Sequence, residues 1–245
     1  MESNQKEFWD NIWKAQELSS IEDYDFGEIS VFIDRIIKRN IVGKNILDLG
    51  CGCGEISVYL AKKGANVTST DMSEEAINFA KKLAEYNKVR IDAYVIDALD
   101  IDKIKIKFDI VIGKYILHHI EPFDKFALVL KNSLLDGGGG VFYENNSRNK
   151  LLMLPRNHLV GKFGIPKYGD DEEYPFTPEE IEILTGSFRE VKITYPKFLF
   201  FEMLAPYVFK NNKTVKRIFA SIDKFIYKIR FLNKYSYIQI IEIEK

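Results

Sequence analysis

The chain has 245 residues, of which 46% are hydrophobic and 29% charged, with 7 prolines and 15 glycines. This ordinary globular composition excludes disordered, collagen-like and disulfide-stabilised classes, and a chain of this length can bury enough surface to fold without a metal. The 35 basic and 36 acidic residues give a net charge of −1, which offers no support for nucleic-acid binding.

The only two cysteines, Cys51 and Cys53, are too close in sequence for an unstrained disulfide and too few for a zinc site. They favour reduced thiols in a cytoplasmic protein. The first residues lack the order of a signal peptide, and the longest apolar stretch, Phe198 to Phe209, is shorter than the roughly 20 residues of a membrane span. We therefore expect a soluble, cytoplasmic protein.

Along the chain, short β-branched runs alternate with segments of helical periodicity, which is typical of a parallel α/β sheet. Strands are predicted at Asn45–Leu49, Ala65–Thr70, Arg90–Ile96, Phe108–Ile112, Val141–Glu144, Val191–Tyr195 and Tyr235–Ile243. Helices are predicted at Gln5–Leu18, Gly27–Arg39, Glu55–Lys63, Glu121–Leu135, Phe198–Phe209 and Lys213–Phe231, with two more opening at the N-caps Ser73 and Thr177. The glycines at 137–140 are predicted to end a helix before the fifth strand.

The most informative segment is Asp48-Leu-Gly-Cys-Gly-Cys-Gly54, which joins the first predicted strand to a helix. Glycines at such a turn permit positive φ and close approach of a ligand, and the helix N-terminus offers free amide donors. The dinucleotide fingerprint G-x-G-x-x-G fails in both frames, because Glu55 or Ser57 stands where its last glycine belongs. The acids Asp48 and Glu55 instead suit a ligand that carries an ammonium or a sulfonium.

This segment resembles the first motif of the class I S-adenosylmethionine-dependent methyltransferases, specifically their small-molecule branch. The resemblance covers about Lys44–Asn146. It implies S-adenosylmethionine as cofactor and a Rossmann-like, doubly wound α/β fold. The seven-stranded sheet would be mostly parallel with an antiparallel last strand, accompanied by N-terminal helices and a helical insertion before the last strand.

The resemblance also implies where the cofactor is held. The glycine loop would contact its methionyl part, Asp71 would accept hydrogen bonds from both ribose hydroxyls, and Asp97 would accept from the adenine amino group. Met72 would lie against the adenine face, and the backbone of Ala98 would meet the ring. The predicted cofactor-binding set is Asp48, Gly50, Gly52, Gly54, Asp71, Met72, Asp97, Ala98 and Lys114.

The segment after the fourth strand is expected at the mouth of this pocket. A hydroxyl acceptor must lose its proton, and His118 or His119 could act as the base near neutral pH, with no preference between them. The alternative is that one imidazole packs and the other is solvated. Metal-dependent relatives of the catechol methyltransferase carry an acid where this chain has Lys114, so no metal is predicted.

Three further residues are candidates for binding the acceptor. Glu144 and Asn145 follow the fifth strand on the same side, and Tyr115 follows the fourth. Glu144 could also serve as an alternative base, and simple turn roles are an equally open interpretation for the residues after strand five.

The predicted function is methyl transfer to a small molecule, most simply to a hydroxyl oxygen. Transfer to nitrogen or carbon, and cofactor binding without catalysis, remain alternatives; a dehydrogenase is disfavoured by the failed fingerprint. The motifs of DNA-base and protein-arginine methyltransferases are missing, which favours a small-molecule acceptor and no nucleic acid. The sequence reveals neither the acceptor nor the oligomeric state.

A single domain, 1–245, is predicted, because no linker divides the chain. It would comprise an N-terminal helical lid (1–43), a cofactor-binding core (44–146), substrate-side insertions with strand six (147–234) and the last strand (235–245). The lid interpretation rests on Phe8, Trp9, Trp13 and Tyr24. The helical i, i+4 spacing of Trp9 and Trp13 favours instead a place in the core for those two.

Although the net charge is small, acidic and basic residues are concentrated in different parts of the sequence. Residues 1–34 hold nine acidic and two basic residues, whereas residues 210–234 hold eight basic residues and one acidic residue. Solvated helix faces explain this most simply. Alternatively, residues 198–234 could make a weak contact with a membrane surface or an anionic acceptor.

Overall fold

The computed structural model describes residues 16–22, 24–159, 174–203 and 212–245, with the backbone alone over 155–159. The strands in these ranges are β1 Asn45–Leu49, β2 Asn66–Asp71, β3 Asp92–Val95, β4 Phe108–Lys114, β5 Leu134–Asn145, β6 Glu190–Thr194 and β7 Ile238–Glu244. The helices are α1 Ser30–Ile37, α2 Glu55–Lys62, α3 Glu74–Tyr86, α4 Phe123–Ser133, α5 Lys150–Leu159, α6 Pro178–Ser187 and α7 Lys213–Ile226. Short 3₁₀ helices span Gly27–Ile29, Ala98–Lys103, Leu117–His119 and Arg230–Tyr235.

The strands of the described residues form one sheet in the order β3-β2-β1-β4-β5-β7-β6. Strand β1 pairs in parallel with β2 and β4, whereas β7 runs antiparallel between β5 and β6. This confirms the predicted Rossmann-like, doubly wound sheet with an antiparallel last strand. The strand order reverses between β1 and β4, and the crevice at such a point, beyond the carboxyl ends of the strands, is where ligands bind in open α/β sheets.

Two hydrophobic layers cover the two faces of the sheet. Consecutive strand residues point to opposite faces, so Ile46 packs in one layer and Leu47 in the other, and Val141 and Phe142 divide in the same way. Because both faces are covered, the inner residues of β1 and β4 are mostly apolar. The polar exceptions, among them Asp48, are therefore candidates for function.

Strand β5 differs from the prediction. Helix α4 ends at Ser133, ahead of the predicted terminator, and the glycines at 137–140 lie inside the strand. A Cβ at Gly139 would overlap the carbonyl oxygen of Ile243 on β7, and one at Gly140 would come within 2.6 Å of the Phe142 ring. The glycines are thus required by close packing of strand on strand, which a local turn pattern does not reveal.

The helical predictions near the chain's charged segments are confirmed only in part. The segment 16–18 has no helical structure, and the rest of the predicted helix Gln5–Leu18 lies outside the described residues. Of the predicted helix Phe198–Phe209, residues 201–203 are helical and the second half lies outside the described residues. Helix α7 stops at Ile226, and the 3₁₀ turn Arg230–Tyr235 replaces its predicted end. Within the described ranges, no helix is both long and apolar enough to cross a membrane.

Candidate active site

The glycine turn between β1 and α2 has the backbone that its sequence predicts. Gly50, Gly52 and Gly54 have φ values of 64°, 52° and 79°. A Cβ at Gly50 would lie 2.6 Å from the Ile116 side chain, and one at Gly54 would lie 2.7 Å from the Cβ of Ala80. At these two positions the absent side chain makes room for the protein itself, in addition to setting the backbone conformation.

Asp71 ties the end of β2 to the glycine turn. One of its carboxylate oxygens accepts a hydrogen bond from the Gly52 amide at 2.9 Å, and the other accepts from the Ser73 amide, also at 2.9 Å. Just beyond β3, Asp97 caps the following 3₁₀ helix by accepting from the Leu99 amide at 2.7 Å. Both acids therefore lie at the carboxyl ends of adjacent strands, as predicted from the order of the motifs.

Asp48 is the centre of a buried polar chain. The Ser57 hydroxyl donates to its carboxylate at 2.6 Å, and the Ser69 hydroxyl donates to Ser57 at 2.7 Å. Burial raises the pKa of Asp48 to about 7; the Ser57 hydrogen bond and Lys114 oppose this shift, whereas the negative charge of neighbouring carboxylates adds to it. The carboxyl group therefore changes charge near neutral pH.

Replacing Asp48 with asparagine should flatten the pH dependence of stability. Because burial raises the carboxyl pKa in the folded state, the native protein binds the proton more tightly than the unfolded chain. Stability is lost as pH rises from about 4 to about 7, by roughly 4 kcal/mol for Asp48 alone. Urea unfolding of wild type and Asp48→Asn from about pH 5 to about pH 8 measures this, and parallel profiles for the two proteins would contradict it.

A small cleft opens beside Asp48. It is lined by Tyr24, Phe26, Ile29, Asp48, Gly50, Cys51, Glu55, Ile56 and Lys114. Burial, and next the negative charge of the Glu55 carboxylate, raise the pKa of Tyr24. Tyr24 and Phe26, in the segment before α1, thus line the cleft beside the glycine turn, and a lid role for this segment stays a prediction. Phe8, Trp9 and Trp13 lie outside the described residues.

The residues present fit a cationic, diol-bearing cofactor. Acids stand on the glycine turn and at the ends of β2 and β3, while Lys114 is the one cation among the residues that line the described cleft. The N-terminal amides of α2 and the exposed Met72 side chain border the same edge of the sheet. An anionic rim of this kind suits an ammonium and a sulfonium, and it would repel a pyrophosphate.

The second half of the site is a histidine–glutamate pair. His118 Nδ1 lies 2.6 Å from one oxygen of Glu144, and both side chains are almost fully buried. The other oxygen of Glu144 accepts from the amides of Ile116 and Leu117, each at 2.8 Å. Both oxygens of this carboxylate are thus engaged by the protein, and the pair joins the ends of the neighbouring strands β4 and β5.

The other candidates nearby have different surroundings. Tyr115 has a positive φ of 54°, and its ring meets Tyr143 edge-on at 5.3 Å. Burial raises the pKa of Tyr115, and it raises that of Tyr143 to about 12, so both hydroxyls stay protonated near neutral pH. The ring of His119 stacks on His118 at 4.2 Å. Asn145 is buried, and its carbonyl accepts from the Gln239 side chain at 3.1 Å.

His118 also borders a larger cavity of about 500 Å³. The cavity lies between the start of α4 and the start of α6. Its remaining lining residues are Glu121, Phe123, Asp124, Tyr174, Pro175, Thr177, Glu179, Glu180 and Ile183. Sequence reasoning did not bring these residues together in one cavity, because they come from two segments whose proximity depends on the packing of α4 against α6.

A family model described as a methyltransferase domain matches residues 41–159. A protein of Rickettsia typhi, named ubiquinone biosynthesis O-methyltransferase, is 30% identical over 191 residues, covering 74% of this chain and 76% of the relative. The chain belongs to the class I S-adenosylmethionine-dependent methyltransferases. The predicted family and its cofactor, S-adenosylmethionine, are thereby confirmed.

Other methyltransferases show how far the likeness extends. A protein of the same name from Coxiella burnetii is 38% identical over 109 residues, but the match spans only 45% of that relative and 44% of this chain. The solved structure of the N-methyltransferase NodS from Bradyrhizobium japonicum, in complex with S-adenosylhomocysteine, superposes with a TM-score of 0.60 over 99% of this chain and 98% of NodS. At 15% identity, that likeness concerns the fold.

Within this methyltransferase, the predicted site residues fall into two groups. The glycine turn, Asp71, Asp97 and Lys114 lie at the carboxyl-end edge of strands β1 to β4, and their contact with the cofactor stays a prediction. His118 and Glu144 form the pair on the neighbouring strands. The Glu144 carboxylate is buried and holds His118 and two amides, and its predicted contact with the acceptor stays a prediction.

Proposed function

We propose that the protein transfers a methyl group from S-adenosylmethionine to a hydroxyl oxygen of a small molecule. The observation that carries this proposal is the His118–Glu144 pair, which provides a positioned base beside a cavity large enough for a small acceptor. The relatives named ubiquinone biosynthesis O-methyltransferase support oxygen as the acceptor atom.

The proposed mechanism divides the work between the two halves of the site. The cofactor, when bound, supplies a methyl group on a sulfonium, which is already a good leaving group. The glycine turn, Asp71 and Asp97 would hold it, and the acidic residues Asp48 and Glu55 would favour its positive charges. The main task left to the chain is to align the acceptor and to remove its proton.

His118 is the group that we assign to proton removal. One oxygen of Glu144 receives two backbone amides, and the other lies against His118 Nδ1, which fits an Nδ1–H donor. This tautomer leaves Nε2 as the atom that takes the proton of the acceptor hydroxyl. We assign Glu144 a positioning role, because it orients the imidazole and stabilises the imidazolium that forms.

The lining of the cavity restricts the acceptor. Four carboxylates border it, those of Glu121, Asp124, Glu179 and Glu180, together with the aromatic ring of Phe123. An anionic acceptor would be repelled by these charges. We therefore infer a neutral or cationic acceptor with an apolar portion.

The deciding experiment locates the transferred methyl group. The protein is incubated with methyl-labelled S-adenosylmethionine and a panel of hydroxylated aromatic compounds, or with a small-molecule extract, and products are analysed by mass spectrometry and NMR. A label on oxygen is the expected result. A label confined to nitrogen or carbon, or S-adenosylhomocysteine binding with no transfer to any compound, would overturn the proposal in favour of the corresponding alternative. No metal is proposed for the reaction.

A further inference from the structure

Helix α7 presents an unusual surface. It follows the N-cap Asn212, and its outer side carries Ile218 and Phe225, which are 55% and 66% exposed. Phe231 on the following 3₁₀ turn is 71% exposed. Since a helix turns once in 3.6 residues, positions 218 and 225 lie in one row, and Arg217 and Lys224 form the row beside it. We call this surface, with Lys228, the basic apolar face.

The orientation of α7 is set by its single acid. Asp223 is buried, and its carboxylate accepts hydrogen bonds from the amides of Phe200, Phe201 and Glu202 at 3.2, 3.1 and 2.9 Å. Turning Asp223 inward directs the row of Ile218 and Phe225 to solvent. The apolar side chains are thus held outward by a specific polar contact.

The charges of this stretch are nearly all of one sign. Residues 213–235 contain seven basic residues and Asp223 as the single acid. In the described part of the chain, Lys216 lies 3.6 Å from Glu202, and no carboxylate within ion-pair distance is found for the other six. The outer surface therefore combines exposed aliphatic and aromatic side chains with unneutralised positive charge.

The basic apolar face lies at the edge of the sheet that holds the candidate active site. Asn146, which directly follows β5, donates from its side chain to the carbonyls of Lys234 and Ser236 at 3.0 and 2.8 Å. Asn149 donates in the same way to the carbonyl of Tyr235 at 2.9 Å. The chain after α7 is thus fastened to the segment that carries Glu144.

We propose that the basic apolar face binds an anionic lipid surface. Interfacial helices combine an apolar row that enters the acyl boundary with lysines and arginines that attract anionic headgroups, and α7 has both in adjacent rows. A nucleic acid would contact only the basic side chains of this face, and its binding would not explain why Ile218 is exposed beside them. Contact here would turn the active-site edge toward the membrane. The inference does not depend on which atom of the acceptor is methylated.

Vesicle flotation of the full chain tests the proposal. We expect binding to vesicles of equimolar phosphatidylcholine and phosphatidylglycerol, weakening at high salt, and no binding to phosphatidylcholine alone. The double variant Lys224→Gln/Lys228→Gln should bind on the order of tenfold or more weakly, because each base near the surface contributes roughly fivefold. Ile218→Ser/Phe225→Ser should weaken binding at least about tenfold, because serine cannot enter the acyl boundary.

The matched control is Lys125→Gln/Leu128→Ser on α4, where Leu128 is 60% exposed. It should bind like the wild type, and all variants should keep the wild-type melting temperature, because only exposed side chains change. Three results would overturn the inference. The wild-type protein could fail to bind anionic vesicles, Ile218→Ser/Phe225→Ser could bind them as strongly as wild type, or the wild-type protein could bind single-stranded or duplex RNA more tightly than the vesicles.

Discussion

Replacing His118 with alanine should lower kcat by roughly 10²- to 10⁴-fold, the usual contribution of a positioned general base. The affinity for S-adenosylhomocysteine should stay within a few-fold of wild type, because His118 belongs to the pair on β4 and β5 and not to the glycine turn. Steady-state kinetics with an acceptor identified by the labelling experiment, together with calorimetric titration of S-adenosylhomocysteine, separate the two effects.

His119→Ala is the matched control, since this residue is the neighbouring histidine and its ring stacks on His118. We expect only a small loss of kcat for it. Glu144→Gln should retain part of the activity, because the glutamine oxygen can still accept from His118 Nδ1. Undiminished turnover in the double histidine variant would exclude a histidine base.

We propose that Asp71 holds the ribose diol, so Asp71→Ala should weaken S-adenosylhomocysteine binding by roughly 100-fold or more through the loss of two hydrogen bonds to a charged carboxylate. The variant also frees the amides of Gly52 and Ser73, which Asp71 accepts from. Calorimetric titration gives the affinity, and the rise in melting temperature with saturating S-adenosylhomocysteine gives an independent readout.

Asp92→Ala is the control for Asp71, because Asp92 stands at the exposed start of β3 and its side chain is 52% exposed. It should keep wild-type affinity. If Asp71→Ala bound S-adenosylhomocysteine as tightly as wild type, the ribose contact would have to be assigned to another residue. A wild-type melt that responds to NADH and not to S-adenosylhomocysteine would contradict the cofactor assignment as a whole.

The cofactor half could be predicted from the sequence because its signals are local. Each signal is recognised from a few consecutive residues: the strand that leads into Gly50, the glycine turn, and the acids after β2 and β3. Because parallel strands bring their carboxyl ends to one edge of the sheet, these separate signals could be placed at one site. The glycines at 137–140 show the limit of local reasoning. They read as a turn, yet in the structure they pair within β5, where Gly139 is flanked by Ile110 on one side and Glu244 on the other.

The catalytic half could be predicted only as separate candidates. His118 and Glu144 are 26 residues apart, and their pairing depends on the β4–β5 register, in which Lys114 lies opposite Tyr143. That register places Glu144 beside the segment after Lys114. The contact between His118 and Glu144 could therefore have been expected once β4 and β5 were predicted to be neighbours. The cavity between α4 and α6 has no such signal, since helix-to-helix packing leaves no short motif.

The contact of Gly54 with Ala80 helps to separate the cofactor side of the molecule from the segments that form the cavity beside His118. It locks the N-terminus of α2 against α3, and the bond from the Gly52 amide to Asp71 fastens the same turn to β2. The parts expected to hold the methionyl and ribose moieties are therefore fastened to each other. The acceptor cavity and the basic apolar face are built instead from chain after β4, held by α4, α6 and α7. A lineage could consequently exchange acceptors by varying those later segments while its cofactor recognition stays intact.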